Sequence, residues 1–140
     1  MKWYEVDKKR LVIEYERVKR KYPQFNLLYF ENGLAWEGTI YLDSDDNEYV
    51  PLKIRIIYDV TYPVKAPKVF PIEPEIPEEL WGHEWHKWKE GNICYINPKK
   101  WNINYYTVDI IEKIEMWYRN FLLLLFGKIK EMPDIGFAST

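Results

Sequence analysis

His83, His86 and Cys94 are the only two imidazoles and the only thiol of this 140-residue chain, and all three fall within a dozen residues. Three chemistries follow from those types at that spacing. A cysteine in a loop is a candidate nucleophile, because its thiolate attacks carbonyl carbon readily and a few per cent of thiolate at neutral pH suffices. The H-x2-H-x7-C spacing is a candidate metal site, with Glu84 or Glu90 as a fourth ligand, although the paired cysteines of structural zinc sites are missing. The plainest reading is packing, since free cysteines are among the most buried side chains. Gly91 and Asn92 precede Cys94 and Pro98 follows it, which places the thiol in an irregular segment and keeps the nucleophile reading open.

The elements that must position this segment follow from periodicity. Tyr4, Leu11, Tyr15, Val18 and Tyr22 recur at helical spacing, so a helix is predicted over residues 3–22, stopped by Pro23. Four extended segments come next. They are "QFNLLYF", "LAWEGTIYL" after an Asn32-Gly33 turn, "YVPLKIRIIY" with Leu52, Ile54 and Ile56 alternating against Lys53 and Arg55, and a short "KVF" between prolines. From Pro71 to Tyr106 regular periodicity disappears, a length that compact domains rarely keep without a functional reason. Helical spacing resumes at Thr107, the predicted N-cap, with Asp109 at the positive end of the helix dipole. The apolar stripe then runs Ile110, Ile111, Ile114, Trp117, Tyr118, Phe121, Leu122, Leu125 to a stop at Gly127. The predicted class is α+β, as one domain over residues 1–140: an N-terminal helix, a four-stranded antiparallel meander, a long irregular segment holding the site, and a long helix packed on the sheet.

Composition limits the functions. Apolar residues at 47% and charged residues at 30% describe a globular domain with a real core. The lone cysteine and the polar N-terminus read as a cytoplasmic protein, and the longest apolar run, "FLLLLF", is far short of the about twenty residues a membrane span needs. Residues 1–22 carry eight Lys/Arg against four Asp/Glu, whereas residues 31–80 carry four against eleven. That dipole suits steering of a protein partner but is too weakly basic for nucleic acid. No phosphate-binding loop or dinucleotide fingerprint occurs, so no cofactor is expected.

In this order the elements resemble the ubiquitin-conjugating (E2) family. The family's tyrosine-proline turn and proline-rich strand are matched by "YPVKAPKVF", Tyr62 to Phe70, and its Gly-x-Ile/Leu-Cys motif by "GNIC", Gly91 to Cys94. Trp101 follows as in the family, and Thr107 stands thirteen residues after the cysteine. Glu84, Trp85 and His86 occupy the places of the family's His-Pro-Asn. That departure, and a chain ending soon after the long helix, resemble a divergent prokaryotic branch, some of whose members work in antiviral defence and attach a cyclic-nucleotide-producing enzyme to a target.

The resemblance implies a UBC-like fold and a thioester on Cys94, passed to an amine acceptor. It puts His86 where the family asparagine supports the oxyanion. His83, one position off the family's structural histidine, is a structural candidate; by nearness in the sequence alone, Asn97, Asn102 and Asn104 are candidates to offer a supporting amide. The implied partners are an E1-like activating protein, a ubiquitin-like modifier or other protein C-terminus, and an acceptor protein. Lys8, Lys9, Arg10 and Arg17 of the first helix are the candidate docking surface for the activating protein. Two alternatives stand beside this: a binding module on the same fold without catalysis, and a small metal-dependent hydrolase using His83, His86 and Cys94.

Overall fold

The computed structural model describes residues 1–42 and 50–133; the acidic run 43–49 and residues 134–140 lie outside them. Helices α1 (Trp3–Val6) and α2 (Lys8–Lys21) precede strands β1 (Asn26–Phe30), β2 (Gly33–Ile40), β3 (Leu52–Ile57) and β4 (Lys68–Glu73). Three short 3-10 turns, Glu78–Leu80, His83–Trp85 and Pro98–Lys100, punctuate the next stretch, and α3 (Thr107–Leu125) follows. The strands form one antiparallel sheet in the order β1-β2-β3-β4. This is the α+β arrangement expected from the sequence.

The first helix is two helices. Asp7 breaks the run and caps the second piece, its carboxylate accepting the Arg10 N–H at 3.0 Å, as Asp does at helix starts. The buried face also differs from the expected stripe. Arg10, Glu14 and Val18 point inward, whereas Tyr15 is 48% exposed and Leu11 is half-buried. A polar network inside the fold accounts for this reversal. The Glu14 carboxylate accepts the Thr107 N–H at 2.8 Å, the Thr107 hydroxyl at 3.0 Å and the Tyr62 hydroxyl. The Arg10 guanidinium donates to Tyr62 Oη at 3.1 Å and to the carbonyls of Ile103 and Tyr105 at 2.8 and 2.6 Å. Trp36 Nε1 donates to Tyr58 Oη, which meets Thr107 Oγ1 at 2.6 Å. Buried polar groups remain inside only when matched in this way.

The sheet follows its pattern closely. Leu52, Ile54 and Ile56 are fully buried between half-buried Lys53 and Arg55. The β1–β2 hairpin turns on Glu31 and Asn32, both at positive φ, the geometry a two-residue hairpin requires. Strand β4 outruns the predicted "KVF" to reach Glu73. It accommodates Pro71 where the register against β3 shifts between Lys53 and Ile54, at the end of the sheet, where proline is tolerated.

In α3 the cap is Tyr106, whose N–H donates to Asp109 Oδ2 at 2.8 Å, not Thr107. Thr107 is the first helical residue because its hydroxyl is committed to Glu14. Ile110, Ile111, Ile114, Trp117, Tyr118, Phe121 and Leu122 join the sheet's side chains in one core, while Leu125 is 41% exposed. Gly127, at φ +73°, ends the helix. Among the described residues no helix is long and apolar enough to cross a membrane.

Candidate functional site

Cys94 lies on a short two-stranded ribbon hung from the edge of β4. The Cys94 N–H donates to the His86 carbonyl at 2.7 Å and the Trp88 N–H to the Asn92 carbonyl at 2.9 Å, setting Lys87 opposite Ile93. The Ile93 N–H donates to Val69 of β4 at 2.7 Å, which ties the ribbon to the sheet. The ribbon turns at Gly91, whose φ of +92° and the Trp81 ring 3.0 Å from any added Cβ together require glycine. Helix α3 holds the other end: Trp117 Nε1 donates to the Trp85 carbonyl at 2.9 Å, and Phe121 packs on the Trp85 ring.

His86 sits at the hinge of this ribbon in the left-handed region, φ 53° and ψ 47°, a strained backbone for a residue with a Cβ. Its Nδ1 faces the His83 carbonyl at 3.2 Å and its Nε2 the Pro133 carbonyl at 3.4 Å. Both neighbours are acceptors, so the tautomer decides which carbonyl a neutral ring serves. The arrangement joins His86 and Cys94 through the backbone, by the Cys94 N–H to His86 carbonyl bond.

The thiol is not accessible, as a nucleophile should be. Cys94 is 4% exposed, and burial pushes its pKa from 9.0 up to about 12, because a thiolate in an apolar surround has lost its hydration. At neutral pH the thiolate fraction is therefore on the order of one in 10^5, not a few per cent. In this conformation the thiol is at rest.

The remaining candidates divide. His83 is exposed and stacks edge-on with His86, ring centroids 5.9 Å apart. Among the described residues no three His, Cys, Asp or Glu side chains could hold a metal ion, so the His83–His86–Cys94 metal arrangement is not formed. Asn97 is buried and caps the following turn, accepting the Lys99 N–H at 2.9 Å. Asn102 is exposed and bonds Asn104. Lys8, Lys9 and Arg17 are exposed on α2, with Arg17 stacked on Tyr106 at 4.3 Å. Arg10 is a correction to the docking set: it is 7% exposed and its guanidinium serves the interior network.

Two site residues had gone unseen. Lys87 is 2% exposed, its ammonium 4.8 Å from the Trp81 ring centroid and with no carboxylate partner among the described residues. It lines a cleft of about 580 Å³ with Phe70, Pro71, Ile76 and Trp81. Burial pulls its pKa down from 10.5 to about 8. Asn92, two residues before the cysteine, keeps a buried Oδ1 without a hydrogen-bond partner among the described residues. Only adjacency to His86 and Cys94 pointed to either one.

A helix, a four-strand meander, a ribbon-borne cysteine and a closing helix follow one another in the order read from the sequence. The chain belongs to the E2-CBASS family, described as Type II CBASS E2 protein, whose model matches residues 14–126. That span takes in the sheet, the ribbon and α3. Comparison with curated proteins and with solved structures gives no match. Membership makes this an E2-like protein of a prokaryotic antiviral defence system, with a conjugation-related role beside other CBASS components such as E1-like proteins.

Proposed function

We propose that this chain, as a UBC-like domain, carries a protein C-terminus, from a ubiquitin-like modifier or another protein, as a thioester on Cys94 and transfers it to an amine. The observation that carries this reading is the ribbon itself. It hydrogen-bonds the backbone of the chain's sole cysteine to a histidine in the left-handed region, and it lies within the span matched by the E2 family.

Charging is an exchange of thioesters. Once uncovered and ionised, Cys94 Sγ attacks the carbonyl of the activating protein's thioester, that protein's sulfur leaves as thiolate, and the proton given up by Cys94 ends on the departing sulfur. Transfer is the harder step, because amine attack builds negative charge on the carbonyl oxygen. A single positioned donor to such an oxygen is worth about 3–4 kcal/mol. His86 Nε2 is the donor assigned here, in the place of the family asparagine. Lys8, Lys9 and Arg17 form the docking surface for an E1-like activating protein, which spends any ATP used, and the setting is cytoplasmic.

Burial of the thiol favours one rival, a binding module that performs no transfer. The two separate in a charging assay with the E1-like protein of the same system, ATP and the donor protein, read by intact mass. The carrier reading expects a protein-sized adduct that neutral hydroxylamine removes and Cys94→Ala abolishes. A donor that binds wild type and Cys94→Ala equally and leaves no adduct establishes the binding module. His86→Ala should charge normally but discharge to amine at least tenfold more slowly; an unchanged discharge rate removes the histidine from the mechanism.

A further inference from the structure

The donor assigned to the oxyanion is already engaged by the protein's own chain. After α3, the Lys128 N–H caps the Leu123 carbonyl at 2.8 Å and Gly127 at φ +73° reverses the direction of the backbone. The chain then returns to the ribbon. Lys128 and Lys130 stay exposed, but Met132 is 7% exposed and joins the hydrophobic core. One residue later the Pro133 carbonyl oxygen faces His86 Nε2 at 3.4 Å. His86 in turn accepts the Cys94 N–H, so the returning segment closes on the residue that holds the cysteine.

A peptide carbonyl on His86 Nε2 is chemically what an acyl group on Cys94 would offer there. At 3.4 Å the contact is long beside the usual 2.9–3.0 Å, so it is readily exchanged for a better acceptor. The contact sets the returning segment beside the residue whose carbonyl holds the Cys94 N–H, on the ribbon that carries the chain's only thiol.

We propose that residues 128–133 form an intramolecular strap that shuts the site by offering the Pro133 carbonyl to His86, and that an incoming extended C-terminal peptide displaces it. The inference rests on the reading of Cys94 and His86 as the transfer site. Met132 is the anchor, and its removal frees the strap without touching either residue.

The test is the rate of Cys94 alkylation by iodoacetamide in Met132→Asp, alongside hydrogen exchange of peptides covering 83–94 and 128–133. We expect alkylation at least tenfold faster than wild type, with faster exchange in both peptides and an unchanged far-UV spectrum. If Met132→Asp does not fold, Met132→Ala takes its place and should give a smaller rise in the same direction. A folded variant whose 128–133 peptide exchanges faster while alkylation stays at the wild-type rate overturns the strap. Alkylation needs no acyl donor, so the two readings fail separately. Faster alkylation without any thioester in the charging assay retires the carrier and keeps the strap. Thioester formation with equal alkylation in wild type and variant does the reverse.

Discussion

Glu14 and Cys94 are both withdrawn from water, at 0% and 4% exposure, yet their surroundings differ completely. Glu14 receives hydrogen bonds from Tyr62 and twice from Thr107, with Arg10 3.9 Å away. Burial still raises its pKa, and those partners oppose the rise. The thiol, and Lys87 on the same ribbon, have burial alone, and it drives each towards its neutral form. The first region is built to hold a charge in place. The second keeps the thiol protonated and leaves the Lys87 ammonium charged without a carboxylate partner among the described residues, a perturbation of the kind found at functional sites.

The largest effect that could break this contrast is at Glu14. Glu14→Ala leaves Arg10 and two hydroxyls without their acceptor and should destabilise the fold by about 3–5 kcal/mol in urea unfolding; a loss below about 1 kcal/mol would mean the network is incidental. Cys94 comes next. Its alkylation rate should climb about tenfold per pH unit from 7 to 10 without a plateau, because the pKa is near 12. A plateau around pH 9 would show a thiol in contact with water.

Lys87 gives a smaller effect with a definite sign. Its folded pKa of about 8 lies below its ordinary 10.5, so the unfolded chain binds more protons between those values and stability rises with pH across that window. Lys87→Met should therefore stabilise the protein by about 1–2 kcal/mol at pH 7, a gain that shrinks as pH climbs from 8 towards 10.5. A gain independent of pH would remove Lys87 from the comparison. The smallest effect lies on the surface. Reversing Lys8, Lys9 and Arg17 to Glu should leave stability within about 0.5 kcal/mol and slow charging by the activating protein severalfold; an unchanged charging rate would free α2 from docking.

The contrast also explains what could be read from the residues in advance. Strand β3 was legible because Leu52 to Ile56 alternates apolar with basic residues, and α3 because its apolar stripe is wide. The inward face of α2 was not, since the buried Arg10 and Glu14 invert the rule that charges face water. Their partners lie far along the chain, where periodicity carries no information. At the site, scarcity made Cys94 and His86 visible: two rare residue types in one irregular stretch. Lys87 was hidden by abundance, one of 20 Lys and Arg, with nothing in its type to mark it as interior. The burial of the thiol was equally hidden, because it depends on packing that only the assembled chain creates.

The bond between Glu14 and Thr107 also governs how the chain is made. The two residues are 93 positions apart. At about 5–20 residues per second, translation delivers Thr107 roughly 5–20 s after Glu14. Throughout that interval the α2 carboxylate lacks the two hydrogen bonds that Thr107 supplies, although Tyr62 has already been made. The buried carboxylate thus receives its last partners only when α3 is made, through a contact of high sequence separation, the kind that slows folding.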